Sequence, residues 1–217
     1  YLTTVHGLSP WITLPIGLAL TAAVATGLGA ITVRLSGHYL PLSTLAWSLS
    51  LYYLFGNLSW LGKHDGLRDI PALHLFGWTL DQGGEIYYLI WLAVFLAMAA
   101  VANLLDSRPG RGIRALKDGA AMAESFGVPT GRYKLTIFVY AALLAALSGW
   151  LYAHMQRTIN PTPFSVNAGI EYLFMAVVGG AGHVWGAVLG AGLVTMAKDQ
   201  LQDWLPKLLG SIGNFEI

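Results

Sequence analysis

Apolar residues run along this chain in blocks of about twenty, each closed by a few charges. Residues 86–105 hold no ionisable acid or base, and no Asp, Glu, Lys or Arg precedes Arg34. None lies between Arg34 and Lys63 or between Lys134 and Arg157, and only Glu171 interrupts residues 158–197. A helix rises about 1.5 Å per residue, so roughly 20 apolar residues cross the ~30 Å hydrocarbon core of a bilayer. Five such stretches predict an all-α, polytopic transmembrane bundle rather than the core of a soluble domain.

The pattern places spans at about 11–33, with Pro15 near the start, then 39–61, 86–105 and 135–154. The last apolar region, 164–197, is too long for one span, and Gly179, Gly180 and Gly182 interrupt it. Backbone that leaves a helix at membrane depth survives only inside protein or beside a water-filled cavity. Two helices are therefore expected, about 164–178 and 184–197, joined by a glycine break. Residues 199–207 read as a polar continuation, with Trp204 at the interface.

Composition agrees. Hydrophobic residues make up 55% and charged residues 11%, against about 25% charged in soluble domains. Mean hydropathy is +0.58. The net charge of +1 makes no electrostatic demand for nucleic acid, and the absence of cysteine excludes disulfides and thiolate metal sites. The chain opens on Tyr1 with no start Met and no signal-peptide pattern, so it reads as an excerpt.

Charge is distributed unevenly between the loops. Residues 106–134 carry Arg108, Arg111, Arg114, Lys117, Arg132 and Lys134 against Asp106, Asp118 and Glu124. Residues 62–85 carry Lys63 and Arg68 against Asp65, Asp69, Asp81 and Glu85. Cytoplasmic loops hold the Lys/Arg excess, which puts 106–134 inside and 62–85 outside.

Within the inner segment, Arg111, Arg114, Lys117 and Asp118 recur at helical spacing, beside an apolar complement that includes Met122 and Phe126. Gly127 is placed to stop this helix in a left-handed turn, and Pro129 prevents its resumption. Such a helix could dock a partner or lie on anionic lipid; the plainer alternative is a loop that only fixes topology.

Gly182, Gly186 and Gly190 are spaced by four and strip one helix face of side chains, which suits close packing and also suits a translocation path. Glu171 stands either within a span, where a carboxylate suggests function, or in the headgroup region near a helix start. The histidines are scattered with no pair at i, i+4, so no metal site is expected, and His183 in the glycine break is the one worth testing. Ser148-Gly149 lacks the nucleophile-elbow frame, and Gly62-Lys63 lacks the phosphate-loop frame. Neither a catalytic residue nor a cofactor is expected.

These residues resemble the permease subunits of ABC importers for branched-chain amino acids, a group that includes urea and amide permeases. Gly37, Tyr39 and Thr44-Leu45-Ala46 are similar to the G-x-Y-x-x-x-x-T-L-A segment of that family. Asp65-Gly66-Leu67 with Ile70-Pro71 is similar to its outer-loop element. Residues 107–134 resemble its cytoplasmic signature, S-x-x-G-R-x-x-R-A-x-[RK]-[DE], followed by an Ala-rich helix, Gly127 and Arg132-Tyr133-Lys134. Pro161, Phe164 and the run from Val178 through Gly179, Gly180, Gly182, Gly186 and Gly190 match its C-terminal half.

The resemblance implies one permease domain over 1–217, with at least one further span after it. It implies a bacterial cytoplasmic-membrane protein that pairs with a second permease subunit, two ATP-binding subunits and an extracytoplasmic solute-binding protein. The segment 106–134 would then couple to an ATPase through Arg111, Arg114, Lys117, Asp118, Glu124 and Gly127. Gly119 departs from the family pattern, where a second acid is common. Glu171, Gly179, Gly180, Gly182, His183, Gly186 and Gly190 would belong to the path or to helix packing. Branched-chain amino acids are the substrates the resemblance favours, with urea or short amides as the alternative. A channel or a membrane-embedded enzyme is the alternative of another class.

Overall fold

The computed structural model describes residues 1–35, 39–75, 78–80, 84–180 and 182–209. Gly37 and His38 of the sequence motifs, and the side chain of Asp118, lie outside the described residues. The chain forms two compact units, Tyr1–Ser165 and Val166–Ile217.

The first unit begins with α1 (Pro10–Thr32), which Pro10 opens. Pro15 falls in the second turn, where its missing N–H forfeits a helical hydrogen bond. α2 (Tyr39–Asn57) ends earlier than expected, and a 3₁₀ turn (Ser59–Leu61) follows. α3 (Gly84–Asp106) and α6 (Thr130–Gln156) match the expected spans and extend beyond them. Between them stand two short helices, α4 (Arg108–Ala115) and α5 (Ala120–Ser125). Among the described residues, α1, α3 and α6 are long and apolar enough to cross a membrane. α2 is uncharged and 19 residues long, but its Ser, Thr and Tyr residues dilute its hydropathy.

α1 and α6 pack antiparallel. Ala25, Gly29 and Thr32 are buried along one face of α1. A Cβ on Gly29 would lie 2.7 Å from Leu135 and 2.9 Å from Phe138. Small residues at this spacing let helices approach where lipid offers no hydrophobic drive. The exposed faces are apolar too: Leu92, Phe95 and Leu96 on α3 are each more than half exposed, which suits hydrocarbon rather than water.

The best-buried cluster lies at the other end of α6. Residues 62–75, part of the 62–85 segment expected as a loop, fold over it. Ile70, Ala72 and Leu73 are buried there, as are Leu151 and His154 of α6. Leu67 and Ile159 exchange two backbone hydrogen bonds of 2.9 Å, and Ile70 N–H donates to Arg157 O at 3.0 Å. His154 Nδ1 lies 3.0 Å from Pro71 O, and Trp11 Nε1 donates to His74 O at 2.8 Å. A short antiparallel hairpin, β1 (Leu73–Leu75) and β2 (Trp78–Leu80), completes the segment with Leu73 opposite Leu80. Three-residue strands leave too little alternation to be read from sequence.

The second unit is a helical hairpin, α7 (Val166–Val178) and α8 (Val184–Leu209). The expected glycine break separates them. α8 runs on past residue 197, so the polar continuation belongs to the same helix.

Candidate functional site

The basic segment between α3 and α6 is folded. Ser107 caps α4, its side-chain oxygen accepting from Gly110 N at 3.3 Å, which satisfies an orphan donor of the first turn. Gly110 is buried against the carbonyls of Leu104 and Leu105, where a Cβ would overlap backbone, and Gly112 faces the Tyr133 ring. These two glycines hold α4 onto the end of α3 and the start of α6.

The single helix expected through residue 127 is broken. After a 3₁₀ turn (Leu116–Asp118), Gly119 adopts φ 132° and ψ 131°, a conformation that a Cβ makes costly. The chain therefore turns at Gly119 before α5, and the basic residues of α4 are not on one continuous face with Glu124. α5 stops as the sequence suggests. Gly127 has φ +76°, its N–H donates to Glu124 O at 2.9 Å, and Val128 N–H donates to Ala123 O at 3.1 Å. This is a Schellman closure.

The candidate coupling residues are distributed over this surface. Arg111 and Lys117 are exposed. Arg114 is exposed as well, with Nη2 2.9 Å from Asp106 Oδ1. Glu124 instead accepts the hydroxyl of buried Thr130 at the start of α6, so it braces α5 against a spanning helix. Ala123 is buried, whereas Met122 and Phe126 are 59% and 76% exposed. α5 thus turns a small residue inward and two large apolar residues outward, beside exposed cations. The sequence placed Met122 and Phe126 in the apolar complement without showing which of these residues would face out.

In the α7–α8 hairpin, Gly179 meets Gly186 and Gly190 so closely that a Cβ on any of the three would strike the opposing backbone. Gly182 does not share this contact. It has φ +128° and open space around its Cβ position, so it serves the turn rather than the helix face. Gly180, with φ +93°, also serves the turn. His183 is exposed. Among the described residues, no group of acidic or His side chains is arranged to hold a metal. Glu171 Oε1 lies 3.0 Å from Lys198 Nζ. The signal for that partner in the sequence is the first opposite charge after the next apolar run, at Lys198.

A cavity of about 660 Å³ lies in the first unit between α1, α2 and α6. Ala142, Ala145, Ala146 and Gly149 give α6 a face of small residues there, opposite Leu51 and Phe55 of α2. The segments 61–67 and 159–164 also line it, contributing Lys63 and Asn160. Nothing in the linear pattern marks this space, because it arises where α2 stands away from α6.

With this geometry in view, the profile of the branched-chain amino acid transport system / permease component family matches residues 1–210. The chain belongs to that family. It is 28% identical over 223 residues to the high-affinity branched-chain amino acid transport system permease protein LivM of Escherichia coli (strain K12), covering 92% of this chain and 52% of that protein. The corresponding LivH of the same organism is 31% identical over 144 residues, covering 62% of this chain and 46% of LivH. BraD of Pseudomonas aeruginosa, a permease protein of the same description, is 32% identical over 133 residues, covering 59% of this chain and 43% of BraD. The chain spans about half the length of the curated relatives it matches. No solved structure matches it. Family membership and three spanning-length helices make this a multi-pass membrane protein.

Proposed function

We propose that the chain is the membrane-embedded part of an ATP-driven importer that carries branched-chain amino acids across the bacterial cytoplasmic membrane. The observation that carries this reading is the permease-family match along residues 1–210. The relatives' names supply the substrate class: LivM, LivH and BraD are all permease proteins of branched-chain amino acid systems.

A second permease subunit, two ATP-binding subunits and an extracytoplasmic solute-binding protein complete the assembly. ATP hydrolysis belongs to the partners, and the chain contributes the path. Residues 106–134 face the cytoplasm and form the coupling segment, supported by their Lys/Arg excess and by α5, which exposes Met122 and Phe126. An ATPase groove with apolar walls and acidic edges fits that surface.

The test is reconstitution. The permease, its ATPases and the binding protein in proteoliposomes should accumulate labelled leucine only with ATP inside the ATPase-facing compartment. Accumulation of labelled urea without leucine would move the chain to the amide branch of the family. Transport of leucine with no ATPase present would exclude the coupled mechanism.

A further inference from the structure

We propose that the cavity between α1, α2 and α6 receives the transported amino acid itself, with its aliphatic side chain inside and its α-carboxylate on Lys63. This rests on the permease reading and goes further by assigning the site and the group that selects the substrate. The cavity's volume, about 660 Å³, lies within the ordinary range for small-molecule sites of roughly 300–1,000 Å³. Its walls are mostly apolar or small, and among the described residues Lys63 is the only Lys, Arg, Asp or Glu that lines it.

Lys63 makes no ion pair among the described residues. It stands with φ +54°, uncommon for a residue with a Cβ, in a turn where its N–H donates to Leu58 O at 3.1 Å and Gly66 N–H donates to Gly62 O at 3.2 Å. The turn thus fixes the backbone of Lys63 at the edge of an apolar space, and its exposed side chain is free to reach that edge. Such a cation fits a carboxylate through a charge-assisted hydrogen bond.

Asn160 supplies the complementary group. Its Oδ1 accepts from Thr162 N–H at 3.2 Å, which orients the amide, and its second lone pair remains for an ammonium. The paired backbone of Leu67 and Ile159 joins the two segments that carry these groups, which fixes their spacing. A zwitterion with an alkyl side chain matches all three features. Urea can donate N–H to the Asn160 oxygen but has neither a carboxylate for Lys63 nor an aliphatic group for the apolar walls.

The small-residue face of α6 could instead seat another helix, and the experiment separates that occupant from a substrate. In the assembled importer, Ala146→Cys gives this cysteine-free chain one thiol in the cavity, probed with a small methanethiosulfonate; Ala142→Cys serves if that variant fails to assemble. Leucine should slow the modification several-fold and urea should not. The half-protecting leucine concentration should rise at least tenfold with Lys63→Met and recover with Lys63→Arg. An unreactive thiol means that a helix fills the space. An unreactive thiol, a reaction that leucine does not slow, or protection indifferent to Lys63→Met would each overturn the assignment. Leucine uptake by the unsubstituted importer tests the permease reading separately, so absent protection with uptake intact falls on this site alone.

Discussion

Glu171 and Lys198 meet across the α7–α8 hairpin, Oε1 to Nζ at 3.0 Å. Glu171 is the one charge in residues 158–197, and its pairing explains how an apolar helix tolerates it. The two charges neutralise each other at the depth where they sit, on helices already held together by the Gly179, Gly186 and Gly190 backbone contact.

The pair predicts non-additive substitutions. Glu171→Gln leaves an ammonium without its partner and Lys198→Gln leaves a carboxylate, so each single variant should lower the thermal stability of the detergent-extracted permease. The double variant should lie closer to the wild type than either single one. The side chains are 37% and 52% exposed, so solvent screening limits the coupling to about 1 kcal/mol or less. Additive losses would show that the two charges act independently.

The glycine contact predicts a contrast between neighbouring positions on one helix. Gly186 is buried against Gly179, whereas Ala187 is exposed. Gly186→Leu must drive α7 and α8 apart, a forced overpacking of about 1–3 kcal/mol, with loss of dispersion contacts that lipid does not replace. Ala187→Leu should be tolerated. The yield of intact complex after detergent extraction compares them; equal yields would remove the packing role.

The spanning helices were legible because a 20-residue apolar run has few other uses, and the glycine break because Gly179, Gly180 and Gly182 stand within one. Gly127 was legible as a stop because the Gly-x-Pro sequence that ends at Pro129 follows an Ala-rich run. Gly119 was not, since one glycine inside a helical pattern reads as a tolerated weakness, and only the backbone torsions show a turn. The spacing of Gly182 from Gly186 suggests a shared helix face, for packing or for a path, but spacing counts only along a continuous helix and this helix begins at Val184. The cavity and its Lys63 were invisible for a similar reason: they depend on how far α2 stands from α6, a tertiary distance that no local pattern encodes.

The charge asymmetry predicts opposite sides for two exposed positions, Arg68 and Lys117. Each replaced singly by cysteine should react with an impermeant maleimide from one side only, Arg68→Cys from outside intact cells and Lys117→Cys only after the cells are opened. Reaction of both from outside would place residues 106–134 outside and exclude the proposed ATPase contact.

The bend at Gly119 predicts that the proposed coupling surface is a shape rather than a set of charges. With φ 132° and ψ 131°, Gly119 holds a conformation that costs another residue about 1–3 kcal/mol. Gly119→Ala should therefore favour a straighter run from α4 into α5 and redirect Met122 and Phe126. Gly127→Val should open the Schellman closure, since a β-branched residue in the left-handed region costs about 1–2 kcal/mol, and so release the chain between α5 and α6. Arg114→Glu places a negative charge beside Asp106, which its guanidinium now meets at 2.9 Å. The three variants leave the spanning helices unchanged, so membrane levels should stay normal. ATP-driven leucine uptake should fall at least tenfold for both glycine variants, and less ATPase should co-purify with them. Arg114 is an exposed ion-pair partner, and Arg114→Glu should lose less than either glycine variant. If Gly119→Ala and Gly127→Val transport normally with the ATPase still bound, this segment sets topology alone.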